Sequence, residues 1–109
     1  MYYLVIWDKY LASIGQPGDM GKFEIPMELA RLFFNLDSRK FPKLSSLSFD
    51  DYDLFSGTEL ELLIHELLDF VSLNPSSVEP INSMVKVISE AKFLGKSILF
   101  DPFSPHRSG

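Results

Sequence analysis

Residues 2 to 7 of this chain, Tyr-Tyr-Leu-Val-Ile-Trp, form an unbroken apolar run rich in β-forming side chains. No polar residue interrupts it, so it suits a strand covered on both faces. Residues 13–21 then hold three Gly and one Pro, the composition of a loop. Residues 22–25 permit a short strand. Pro26 fits the first turn of a helix, where its missing N–H costs nothing. Leu29, Leu32, Phe33 and Leu36 follow at helical spacing, which predicts a helix over 26–36. Glu28 falls in its first turn, on the favourable side of the helix dipole.

Residues 37–43 read as a polar, basic connector that ends this helix before Pro42. From 44 to 49, Ser45, Ser46 and Ser48 alternate loosely with Leu44, Leu47 and Phe49, which allows a short strand. Asp50-Asp51-Tyr52-Asp53 reads as a turn. The clearest signal comes next. Ser56-Gly57-Thr58-Glu59 has the form of a capping box: Ser56 accepts from the Glu59 backbone N–H, and Glu59 reaches back to that of Ser56. Phe55 and Leu60 are the matching staple pair. The helix is expected to run to about Ser72, with Leu60, Leu63, Ile64, Leu67, Leu68 and Val71 as its apolar stripe. Glu61, His65, Glu66 and Asp69 lie opposite. Leu62 falls among these polar residues, and Phe70 at the edge of the stripe.

A last helix is expected over 78–94, with Ile81, Met84, Val85, Ile88 and Ala91 inward and Gly95 as its stop. Residues 97–101 make a second buried-type strand, ended by Pro102. Neither apolar strand would be stable alone. Pairing the first and last strands at the centre of a small sheet, with helices packed on it, is the economical arrangement. The expected fold is α+β: a small sheet including the N- and C-terminal strands, completed by one or two middle strands and packed with about three helices. Residues 1–103 form a single domain, with residues 104–109 as a mobile tail.

Composition narrows the class. Ten Phe, four Tyr and one Trp in 109 residues supply enough large apolar surface for a core. There is no Cys, which removes disulfides, thiolate zinc sites and a cysteine nucleophile. No apolar run approaches the ~20 residues of a membrane span. The N-terminus lacks the basic region and cleavage site of a signal peptide, so a cytoplasmic location is the default.

Charge is polarised along the sequence. Between Leu44 and Val85 stand eight carboxylates and no Lys or Arg: Asp50, Asp51, Asp53, Glu59, Glu61, Glu66, Asp69 and Glu79. The whole chain carries −5, so the remaining residues, ten basic and seven acidic, sum to +3. This argues against nucleic acid, whose binding rests on Lys and Arg. An acidic surface instead attracts basic partners and speeds their encounter.

Catalytic and metal signatures fail on inspection. His65 and Asp69 share a helix face, but no third ligand accompanies them, and the only other His is His106. Asp50-Asp51-x-Asp53 lacks the Gly and the distal Glu of a calcium loop. Gly15-x-x-Gly18-x-x-Gly21 has the wrong spacing for a dinucleotide fingerprint and contains Pro17. No nucleophile elbow is present. The sequence therefore implies no metal, no cofactor and no enzyme. The acids have a bland reading as a solvated face. Their partner-binding reading gains from aromatics set among them: Phe49, Tyr52 and Phe55 beside Asp50, Asp51 and Asp53.

One resemblance extends over residues 41–101. Phe41-Pro42-x-Leu44-Ser45 precedes a Phe-Asp-Asp-x-Asp turn, and Phe55-Ser56-Gly57-Thr58-Glu59-Leu60-Glu61-Leu62-Leu63 opens a helix. A second helix leads through Gly95-Lys96 into Ser97-Ile98-Leu99-Phe100-Asp101. This order is similar to small bacterial immunity proteins of polymorphic and contact-dependent toxin systems. The resemblance implies a cytosolic, non-enzymatic protein that blocks a toxin, often a basic nuclease, by covering its active site or an adjacent surface. Its acids would then stand where phosphates sit. No catalytic residue carries over.

The first expectation is thus a small cytosolic inhibitor that neutralises a basic toxin domain by direct binding. Asp50, Asp51, Asp53, Glu61, Glu66 and Asp69 would dominate its electrostatics, with His65 in the same set and Tyr52 and Leu62 as apolar anchors. The alternatives are a structural module whose exposed apolar residues serve homodimerisation, and a small ligand-binding domain or enzyme.

Overall fold

The computed structural model describes residues 1–103; the mobile tail expected at 104–109 lies outside the described residues. Strands β1 (Tyr3–Trp7), β2 (Asp19–Glu24), β3 (Asp53–Phe55) and β4 (Ser97–Asp101) form one antiparallel sheet in the order β2-β1-β4-β3. Helices α1 (Lys9–Ser13), α2 (Met27–Phe34), α3 (Thr58–Leu73) and α4 (Val78–Leu94) accompany it. The fold is α+β. Its first and last strands pair at the centre of the sheet, Tyr3 opposite Asp101 and Trp7 opposite Ser97.

Strand alternation assigns the two faces. Leu4 and Ile6 of β1, Ile98 and Phe100 of β4 and Phe55 of β3 turn into one core with Leu29 and Phe33 of α2, Leu63 and Leu67 of α3, and Met84 and Ile88 of α4. Tyr2 joins them, with the rings of Phe34, Phe49 and Phe100 at 5.4 to 6.0 Å. The opposite face carries Tyr3, Val5 and Trp7 of β1, Leu99 and Asp101 of β4 and Leu54 of β3. None of these belongs to the core that the helices share. The unbroken apolar runs predicted cover on both faces, and β4 is buried along its whole length and β1 from Leu4 to Ile6; the core helices supply that cover on one face.

Several elements depart from the sequence pattern, each for a local reason. Residues 9–12, which carried no prediction, lie in α1, because Asp8 Oδ1 accepts the Leu11 N–H at 3.0 Å and caps it. β2 begins at Asp19, inside the expected loop, since pairing with β1 outweighs the weak strand propensity of Gly21. Residues 44–46 form a 3-10 turn instead of a strand. Both oxygens of Glu66 accept the Lys43 N–H, at 3.1 and 3.0 Å, and Oε1 also accepts the Leu44 N–H at 2.9 Å, so these groups are taken from any sheet ladder. The second middle strand forms instead at β3, where a turn was expected to extend through Asp53.

Half of the capping box closes. Glu59 Oε1 accepts the Ser56 N–H at 3.0 Å. The reciprocal bond does not form, because Gly57 occupies the N-cap with φ of +60°, a backbone that side-chain-bearing residues disfavour. Ser56 Oγ pairs with Ser97 Oγ at 2.7 Å instead, tying the start of α3 to β4. Along α3, Phe70 is buried and Leu68 exposed, so the stripe runs Leu60, Leu63, Leu67, Phe70.

Candidate functional site

The acids adjacent in sequence do not form one acidic face. Glu59 pairs with Lys43 at 3.4 Å and Glu61 with Lys92 at 2.6 Å. The Ser56 backbone N–H, then Lys43, holds the Glu59 carboxyl below its usual range; Lys92 does the same for Glu61. Glu66 was expected on the open polar face of α3. It is 7% exposed and bound to the backbone of residues 43 and 44, so its place is structural. Leu62, His65 and Asp69 are exposed on the outer surface of α3, as the helical spacing predicts.

Asp53 also leaves the surface set. Phe55 turns into the core, so two positions earlier Asp53 points to the same side of β3. Its Oδ2 is buried without a hydrogen-bond partner among the described residues. Burial pushes its carboxyl above the usual aspartate range, against the backbone N–H of Ser48, which lowers it. The Tyr2 hydroxyl is likewise buried and unpartnered, and its ionisation is pushed up by burial and then by the Asp53 charge.

The same parity turns Tyr52 and Leu54 outward, 50% and 43% exposed. Leu54 lies opposite Leu99, and Leu99 opposite Val5, so an apolar row crosses three strands of this face, exposed at Leu54 and buried at Leu99 and Val5. Trp7, Tyr52, Leu54, Leu99 and Asp101 line a depression of about 450 Å³ on it. Gly18 packs against Trp7 so closely that a Cβ there would sit 2.9 Å from the indole ring. The rings of Tyr52 and Phe103 meet edge to face at 5.1 Å. Asp50 and Asp51 are exposed in the loop leading into this rim, and Asp51 Oδ1 accepts the Tyr52 N–H at 2.8 Å.

Of the residues the sequence singled out for partner binding, Tyr52 lines this depression and Asp50 and Asp51 lie in the loop before it; Trp7, Leu54, Leu99 and Asp101 were not singled out. Trp7, Leu99 and Asp101 were expected in strands without a face, and Leu54 in no element. Strand parity counted from Phe55 is the signal that finds Leu54.

A second depression, about 280 Å³, lies by the start of α3 and includes Lys9, Lys92 and Lys96 with Ser56 and Ser97. Its cations are engaged: Lys9 Nζ with Ser56 Oγ at 3.4 Å, Lys92 with Glu61, and Lys96 with Asp8 at 2.8 Å. Among the described residues no group of three His, Asp or Glu side chains is placed to hold a metal ion. No helix among them is long and apolar enough to cross a membrane. No family model, curated protein or solved structure matches the chain.

Proposed function

We propose that this chain is a small, non-enzymatic binding protein of the immunity type, which neutralises a basic toxin domain by docking it on the open face of its sheet. One observation carries the reading: an apolar depression on the sheet face outside the helical core is lined by Tyr52, which directly follows the exposed Asp50 and Asp51 in the loop before β3. An apolar centre excludes water and holds the partner, while rim acids steer a basic surface toward it. The resemblance of residues 41–101 to immunity proteins agrees with that division of labour. Leu62, His65 and Asp69 on α3 provide a second contact area for a partner large enough to reach it.

Affinity capture tests this. The purified chain is used as bait against lysate and secreted protein of its source organism, at low and high salt. The recovered polypeptide is then purified, identified and titrated back. The reading requires a basic polypeptide that binds stoichiometrically, more weakly in salt, and loses its own activity in the complex. A partner whose activity survives the complex contradicts it.

The apolar row also favours a second reading, self-association through the same face. Sedimentation separates the two: a monomer at high concentration removes the dimer, and a dimer dispersed by Leu54→Asp removes the toxin-facing role.

A further inference from the structure

The open-face depression has the chemistry of a receptor for one cationic side chain. Asp101 is 7% exposed, and its Oδ1 accepts the Phe103 N–H at 2.7 Å. None of the ion pairs found among the described residues involves it. A carboxylate held in such a setting gains from a cation that brings its own donors. Two of the remaining walls are aromatic, Trp7 and Tyr52, and the other two are aliphatic, Leu54 and Leu99. Aromatic faces attract a cation through their quadrupole, and aliphatic walls cover the methylene stem behind it.

We infer that this pocket takes an arginine side chain from a basic protein partner, with Asp101 facing the guanidinium and Trp7 and Tyr52 flanking it. Arginine suits it better than lysine. Its planar, weakly hydrated head stacks on rings and can pair with a carboxylate through two N–H groups at once. Charge complementarity selects this occupant: the Asp101 carboxylate lines the pocket, and Asp50 and Asp51 stand exposed in the loop that leads to Tyr52. The inference rests on the binding role proposed above and names the group that the site selects.

Trp7 is the only tryptophan of the chain, so its emission reports on the pocket alone. The full chain is titrated with a short oligo-arginine peptide, with oligo-lysine and neutral oligo-citrulline peptides as comparators. The expected result is a saturable change in Trp7 emission with oligo-arginine, weaker binding of oligo-lysine and none of oligo-citrulline. Asp101→Asn keeps an acceptor for the Phe103 N–H and removes the charge. It should weaken oligo-arginine binding about tenfold, the scale of one charge-assisted contact. Tyr52→Ala, at an exposed ring, should weaken it as well.

Equal binding by Asp101→Asn, or loss only in Asp50→Asn/Asp51→Asn, would overturn the pocket and leave the peptide on the acidic loop. Tight binding by a chain ending at residue 103, with none by the full chain, would assign the pocket to residues 104–109. A dimer that buries Trp7 and excludes the peptide would assign it to a second copy. Peptide binding by a chain that captures no basic protein would overturn the immunity reading alone. Capture with unchanged Trp7 emission and unchanged Asp101→Asn affinity would overturn the pocket alone.

Discussion

Glu66 of α3 accepts the backbone N–H of Leu44 at 2.9 Å, 22 residues away in sequence. The Lys43 N–H points at the same carboxylate. This one side chain pins the 3-10 turn of residues 44–46 to α3 and keeps Leu44 and Leu47 in the core. Removing it strands two backbone donors. Glu66→Ala should therefore cost about 2–3 kcal/mol in urea unfolding. Glu66→Gln, which retains one acceptor oxygen, should cost less. Equal stability of Glu66→Ala and the parent chain would show that water replaces the carboxylate.

Asp53 Oδ2 and the Tyr2 hydroxyl present the opposite case, two buried polar atoms without a hydrogen-bond partner among the described residues. The Asp53 carboxyl is raised by burial, so its proton is favoured in the folded state. The associated stability is full below the unfolded aspartate value near ~4 and is lost as pH rises through the raised folded value. Asp53→Asn removes that loss and offers an amide donor. It should raise the midpoint of thermal unfolding at pH 7, with the gain shrinking toward acid pH. A lower midpoint at pH 7 would contradict this.

Asp8 has the reverse sign. The Lys96 ammonium at 2.8 Å, then the Leu11 N–H, holds its carboxyl below the usual range. Its contribution is present above the unfolded value near ~4 and is lost as pH falls through the lowered folded value. Asp8→Asn keeps an acceptor for the α1 cap and loses the charge. It should destabilise the chain at pH 7 and converge with the parent once pH has fallen through the lowered folded value. Parallel stability curves across this range would exclude the ion pair as the cause.

Gly18 and Trp7 give a packing test at the edge of the candidate pocket. Gly18→Ala places a methyl group 2.9 to 3.1 Å from three indole carbons, so the ring must shift. The expected cost is about 1–3 kcal/mol, accompanied by a shift in Trp7 emission. Unchanged emission would mean that the backbone gives way instead of the ring.

These residues also show what was legible in the sequence. The apolar runs ending in Trp7 and Asp101 identified both central strands, and the helical stripes identified α2, α3 and α4. Pairing the first and last strands at the centre was the economical arrangement, and the fold class followed from it. Glu66 was illegible because helical spacing puts it opposite the stripe, and only a segment folded back from residues 43 and 44 buries it. Asp53 was misplaced because its strand is three residues long, too short to show alternation. Once Phe55 is known to point inward, Asp53 must follow it, and Tyr52 and Leu54 must point out. The depression stayed hidden because an unbroken apolar run does not show what covers each face of its strand.

Residual activity of the captured basic partner, measured with one equivalent of this chain, tests the central claim most directly. Leu54 lies on the open face and outside the shared core, so Leu54→Asp disturbs the face while sparing the fold. The account predicts that the parent chain abolishes the partner's activity and that Leu54→Asp restores most of it. A partner left active by the parent chain, or silenced equally well by Leu54→Asp, would contradict the account.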